Sequence, residues 1–226
     1  MTAALVYLAP TSVSLLTDGA MITPDGSTVA LKQKVQIAAH QSAAVVARGP
    51  DMFSALVAVA MAQVQGGFED LVASFAGQVV SAHQHMMTAM RGGAAVPGDP
   101  SKVDAILVGV GSDGRAAAYV VSSFPDAGHP AWELRPIKGP AAPSAAVTRF
   151  APELVQPALT FASPMPEAVE ADLRAAGHKL WGGTPDVKAH SLAVMRAQRK
   201  TGLVGGFCQM TTITKDAVAS LIVERW

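Results

Sequence analysis

The chain has 226 residues, half of them hydrophobic and 15% charged, with 17 acidic and 17 basic side chains. A domain of this length buries about 70–75% of its unfolded surface and needs no disulfide or metal to hold it, and the even charge balance speaks against nucleic acid or an anionic membrane as partner, since both require a basic excess. The single cysteine, Cys208, excludes an internal disulfide framework and fits a reducing compartment.

No basic segment followed by an apolar core opens the chain, and no stretch approaches 18 uninterrupted apolar residues, so the cytoplasm is the expected location. The low charged fraction leads us to expect a homo-oligomer that covers part of its surface with sister subunits.

Ala3 to Ala9 and Val13 to Thr17 read as a hairpin, the second run closed by Asp18-Gly19. Thr23 to Ser27 reads as a loop. Val35 to Ala39 and Ala43 to Ala47 are two more short strands, and the four together suggest one antiparallel sheet. The period then changes. Asp51 is placed to cap a helix running to about Gln65, with Met52, Leu56, Val59 and Gln63 near one face. Gly66-Gly67 stops it. Glu69 to about Met90 repeats apolar residues at helical spacing through Leu71, Val72, Phe75, Val79, Met86 and Met90.

Arg91 to Lys102 is a Gly/Pro loop. Val103 to Val110 and Ala116 to Val121 form a hairpin, and Trp132 to Pro136 adds a short edge strand, because Pro136 would spoil a central one. Pro166 to Leu180 and Pro185 to Arg199 read as helices with proline near the first turn. Phe207 to Thr214 and Ala217 to Val223 are the closing strands. Segregated runs of strands and helices in this order imply an α+β layered sandwich in a single domain spanning 1–226.

Gly109-Val110-Gly111-Ser112-Asp113-Gly114 matches a dinucleotide fingerprint, which requires a helix directly after it. Tyr119-Val120-Val121 prefers a strand, and Ser122, Ser123 and Pro125 follow too soon for a helix. The segment is therefore read as a hairpin turn. His83 and His85 stand at i and i+2 and share no helix face, so no metal is expected. Cys208 in an apolar strand reads as a small buried hydrophobe. No cofactor is expected.

Three positions carry chemistry. Thr2 opens the first strand, Asp18 ends the second and Lys34 opens the third. A free N-terminal threonine carries a hydroxyl nucleophile and, in the same residue, an α-amine with a pKa near 8 that can act as general base. A lysine ammonium nearby would lower the pKa of the hydroxyl or amine, and a carboxylate would hold that lysine charged and in place.

With these residues the sequence resembles the proteasome β-subunit family of Ntn hydrolases, including the bacterial proteasome-like threonine protease. The likeness runs through Leu16-Thr17-Asp18-Gly19-Ala20, Lys34-Val35-Gln36-Ile37, a glycine after the fourth strand, two long helices, Gly205-Gly206 before an apolar strand, and Thr214-Lys215-Asp216. It implies a four-layer αββα sandwich with antiparallel sheets between helix layers. It also implies that Thr2, after loss of Met1, attacks the amide carbonyl of a peptide or small amide with support from Asp18 and Lys34. The oxyanion-hole N–H would come from Gly49 or, after a one-residue shift, from Arg48.

The chain departs from that pattern in two places. Lys200-Thr201-Gly202-Leu203-Val204 stands where the family often has an Asp and a Ser, with Thr201 or Thr211 as substitutes to consider. The family's Ser-Gly motif before the third helix is matched only poorly, by Ser144. These departures support a second expectation, a proteasome-like structural or assembly subunit without activity. Rings of that family often work with ATPase unfoldases, but no docking site for one is evident here.

Overall fold

The computed structural model describes residues 2–23, 27–95, 99–125, 128–138, 156–180 and 182–226. Two antiparallel sheets face each other. The first joins β1 (Ala4–Leu8), β2 (Ser12–Asp18), β10 (Ala158–Ser163), β11 (Gly182–Gly183), β12 (Phe207–Thr214) and β13 (Val218–Arg225), in the order β11-β10-β1-β2-β12-β13. The second joins β5 (Val35–Ala38), β6 (Ala43–Arg48), β7 (Asp104–Val110), β8 (Ala116–Ser122) and β9 (Arg135–Pro136), in sequence order. A separate small hairpin pairs β3 (Ala20–Ile22) with β4 (Thr28–Leu31). Among the described residues the α-helices are α1 (Asp51–Ala62), α2 (Phe68–Arg91), α3 (Glu167–Ala175) and α4 (Val187–Arg199).

Strand alternation divides the apolar residues among three cores. Ala43, Val45, Ala47 and Leu107 point to α1 and α2. Ala44, Val46, Ile106 and Val108 point the other way and meet Ala4, Val6, Val13 and Leu15 of the first sheet. Ala3, Leu5, Tyr7 and Leu16 form the far face of that sheet and pack against Val169, Leu173, Val194 and Met195 of α3 and α4. Near-continuous apolar strands such as Asp104–Val110, buried at every position, are what a sheet covered on both faces requires.

Several expectations change. The first four expected strands do not share a sheet: β1 and β2 lie in one, β5 and β6 in the other. Asp18-Gly19 is a kink between strands rather than a turn, and β3 and β4 flank the segment read as a loop, of which residues 24–26 lie outside the described part. Pro50, not Asp51, caps α1. Asp51 sits in its first turn, where a carboxylate suits the helix dipole, and pairs with Lys32. The buried face of α1 is Phe53, Val57 and Met61, while Val59 is exposed. In so apolar a helix the period carries little information, and the bulk of Phe53 sets the face. On α2 the buried series 68, 71, 75, 79, 82 and 86 follows the expected stripe.

The Gly109–Gly114 segment is the β7–β8 hairpin turn, closed by Gly111 N–H to the Arg115 carbonyl (2.9 Å), with Gly114 at φ +78°. Cys208 is fully buried on the helix side of β12, and burial, with Glu224 and Asp18 adding to it, pushes its thiol up to about 12.

Tyr7 links β1 to α4 through a buried histidine. His190 Nε2 faces the Lys179 carbonyl at 3.1 Å and must donate to it, so Nδ1 accepts from the Tyr7 hydroxyl at 2.7 Å. Burial first, and His178 with it, pull the His190 pKa below its ordinary value, against the raising effect of the Lys179 carbonyl. The neutral form therefore belongs to the folded state. Its stabilising effect is complete above the unfolded value of about 6.5 and is lost as pH falls through the folded value. Replacing Tyr7→Phe leaves Nδ1 without a donor. Urea titrations at pH 8 are expected to show a loss of about 1–3 kcal/mol.

Candidate functional site

Asp18 is fully buried and its carboxylate accepts four hydrogen bonds from four parts of the chain. Oδ1 accepts from Lys34 Nζ at 2.7 Å and from the Ala3 N–H at 2.8 Å. Oδ2 accepts from the Ala20 N–H at 3.3 Å and the Gly205 N–H at 3.4 Å. The local sequence makes this convergence. Gly19 has no side chain because a Cβ there would lie 2.2 Å from the Phe207 ring. That closeness lets the Gly19 N–H reach the Phe207 carbonyl (2.9 Å) and turns the chain from one sheet into the small hairpin.

Lys34 precedes β5, the edge strand of the second sheet, and crosses to Asp18 at the end of β2 in the first. The ammonium is only 5% exposed. Burial pushes its pKa below the ordinary lysine range; the Asp18 charge and hydrogen bond oppose that, and Lys32 adds to it.

Thr2, 7% exposed, stands two residues before β1. The Ala3 amide bond to Asp18 fixes where it enters the sheet. Because Ala3 packs toward the helices, alternation puts Thr2 on the side of Ala4 and Val6, facing the other sheet. The structure thus brings Asp18 and Lys34 into direct contact and sets the N–H of Ala3, the residue after Thr2, on the same carboxylate oxygen that holds the lysine.

Gly49 is the first residue beyond β6 and has φ +136°, a conformation suited to glycine; an added Cβ would meet Val103 Cγ1 at 2.7 Å. Arg48 is the last residue of the β6 ladder, paired with Asp104. Met1 and Ser144 lie outside the described residues. A serine that sequence reasoning missed is Ser163. It ends β10, pairs with Ala4 and stands shortly before α3, so it shares the face on which Thr2 sits. Finding it required recognising β10 as a strand, and Ala158–Ser163 lacks a strong alternating pattern.

Thr201 and Thr211 are engaged elsewhere. The Thr201 hydroxyl donates to the Gln198 carbonyl (2.6 Å) and accepts from the Leu203 N–H (3.2 Å), closing the end of α4. The Thr211 hydroxyl bonds Ser220 at 2.7 Å. A groove of about 490 Å³ opens beside Gly205, walled by Ile22 and Leu31 of the small hairpin and by Arg199, Val204 and Trp226.

Facing antiparallel sheets, helices on their outer sides, and a buried Asp–Lys pair beside the start of the first strand characterise this fold. Solved structures of Anbu share it. Anbu from Hyphomicrobium sp. strain MC1 matches with a TM-score of 0.65 at 9% identity, over 98% of this chain and 87% of that one. A Gly-1 mutant of it matches at 0.64 and 11%, over 99% and 88%. Anbu from Yersinia bercovieri, described as an ancestral beta-subunit, matches at 0.63 and 9%, over 99% and 87%. At these identities the likeness is one of fold. No protein-family model matches the chain, and no curated protein does. No helix among the described residues is long and apolar enough to cross a membrane.

Removing the lysine isolates a buried carboxylate. Lys34→Met is expected to destabilise the protein by about 3–5 kcal/mol in urea titrations, and the accompanying change Asp18→Asn to restore part of that loss.

Proposed function

We propose that this protein is an N-terminal-nucleophile amide hydrolase, a proteasome-like peptidase in which Thr2 attacks once Met1 has been removed. The observation that carries this reading is the shared oxygen of Asp18, which joins the Lys34 ammonium to the backbone that carries Thr2. In the reaction, Thr2 Oγ adds to the amide carbon while its proton passes to the α-amine of the same residue. The developing oxyanion takes the Gly49 N–H. The C–N bond then breaks as the amine returns the proton to the leaving nitrogen, and water hydrolyses the ester left on Thr2. Lys34 favours the ionised hydroxyl through its charge, and Asp18 keeps that charge in place. Ser163, across the ladder from Ala4, is the serine this reading assigns a supporting role near Thr2.

The groove beside Gly205 has the volume of a ligand site and a mostly polar lining, and it adjoins the candidate site through Gly205, which donates to Asp18. The three stacked cores support reading the fold as four αββα layers. The word "subunit" attached to the Yersinia protein and the low charge of this chain support a homo-oligomer. The reading of Cys208 as a free thiol fits a reducing compartment and supports a cytoplasmic location.

A second reading is an inactive structural or assembly subunit. It is favoured by Thr201, whose hydroxyl closes a helix end where the family places a carboxylate near the nucleophile. Intact-mass measurement of the purified protein and hydrolysis of a fluorogenic peptide separate the two. The hydrolase reading expects loss of Met1, turnover by wild type and Thr2→Ser, and none by Thr2→Ala. A retained Met1 and turnover indifferent to Thr2→Ala would sink it. Activity is also expected to decline at alkaline pH before the ordinary lysine value of about 10.4 is reached, as Lys34 gives up its proton; a pH–rate profile checks this.

A further inference from the structure

Arg48 and Asp104 form a second ion pair at the same end of the sandwich, and the reaction above makes no use of it. Arg48 closes β6 and Asp104 opens β7 directly across the ladder. The guanidinium is bidentate, with Nε donating to Oδ1 at 2.6 Å and Nη2 to Oδ2 at 2.5 Å. Asp104 is buried. The same guanidinium lies over the Phe161 ring, 5.4 Å from its centroid. Phe161 belongs to the other sheet, pairs with Val6 of β1 and stands two residues before Ser163. One side chain therefore grips the end of β6, the start of β7 and the strand that flanks β1.

The residue after Arg48 is Gly49, and the residue before Asp104 is Val103, the side chain against which the Gly49 backbone is pressed. Both halves of the pair thus adjoin, along the chain, the two residues of that contact. A buried ion pair is a weak source of stability, since apolar residues of the same volume often do as well or better. What a guanidinium–carboxylate fork supplies that they do not is a fixed direction in space.

We propose that Arg48 and Asp104 are positioning residues that fix the Gly49 N–H against the carbonyl attacked by Thr2. The inference rests on the hydrolase reading above. An oxyanion donor works only within about 2.7–3.1 Å of the developing charge, and a misplacement of about 1 Å originating away from the chemistry costs about 100-fold in rate. Arg48 acts through the backbone of its neighbour.

The test is steady-state hydrolysis of a fluorogenic peptide amide by wild type, Arg48→Lys, and the double variant Arg48→Met with Asp104→Leu, with thermal melting of each. Lysine keeps the charge and loses the fork; the Met–Leu pair refills the volume and keeps the protein folded. The expected result is a cooperative melt for the double variant and a kcat about 100-fold lower in both variants, with KM within about twofold of wild type, because ground-state binding is untouched. A folded double variant with wild-type kcat, or one in which KM alone rises, overturns the inference. Wild type that turns over no peptide overturns the hydrolase reading and this inference with it.

Discussion

A buried carboxylate has to be fully hydrogen-bonded, and at Asp18 that requirement ties the molecule together. A lone charge in this position would cost several kcal/mol. Its four donors come from the start of β1, from the chain just past Gly19, from the approach to β5 and from the Gly205 turn before β12. Those segments belong to both sheets and the small hairpin. Each can satisfy the carboxylate only if the two sheets stack with their ends in this register. The interaction that stabilises the end of the sandwich therefore also gathers the start of the chain, Lys34 and the Gly205 turn there.

This coupling explains why the lysine is buried. An exposed ammonium would be screened by water and would influence a nearby hydroxyl weakly. At 5% exposure desolvation pushes its pKa down, and the Asp18 charge and hydrogen bond oppose that shift. Arg48 and Asp104 form a second ion pair across β6 and β7, bidentate in geometry.

Much of this was legible in the sequence, for reasons that differ by element. Asp18 and Lys34 could be paired from spacing and resemblance because strand lengths near the N-terminus leave little freedom. Phe207–Thr214 matched its expected bounds because a Gly pair and a Lys-Asp turn delimit it. The division of the first strands between two sheets was hidden, since hydrophobic alternation reports that a strand is buried and not which sheet it joins. The stripe of α1 was lost in a run with almost no polar residues. Ser163 and the four-donor satisfaction of Asp18 depend on contacts between residues up to 187 positions apart, which no local pattern records. The fold is shared with Anbu at about a tenth identity, so the backbone arrangement persists where side chains have diverged.

The most direct test of Thr2 as the working nucleophile is covalent trapping. The purified protein is incubated with a peptidyl β-lactone, digested, and the adduct located by tandem mass spectrometry. A single acyl adduct on Thr2, at a free N-terminus, is the result this account predicts. An unmodified protein that still carries Met1, or an adduct placed elsewhere with Thr2 untouched, would contradict it.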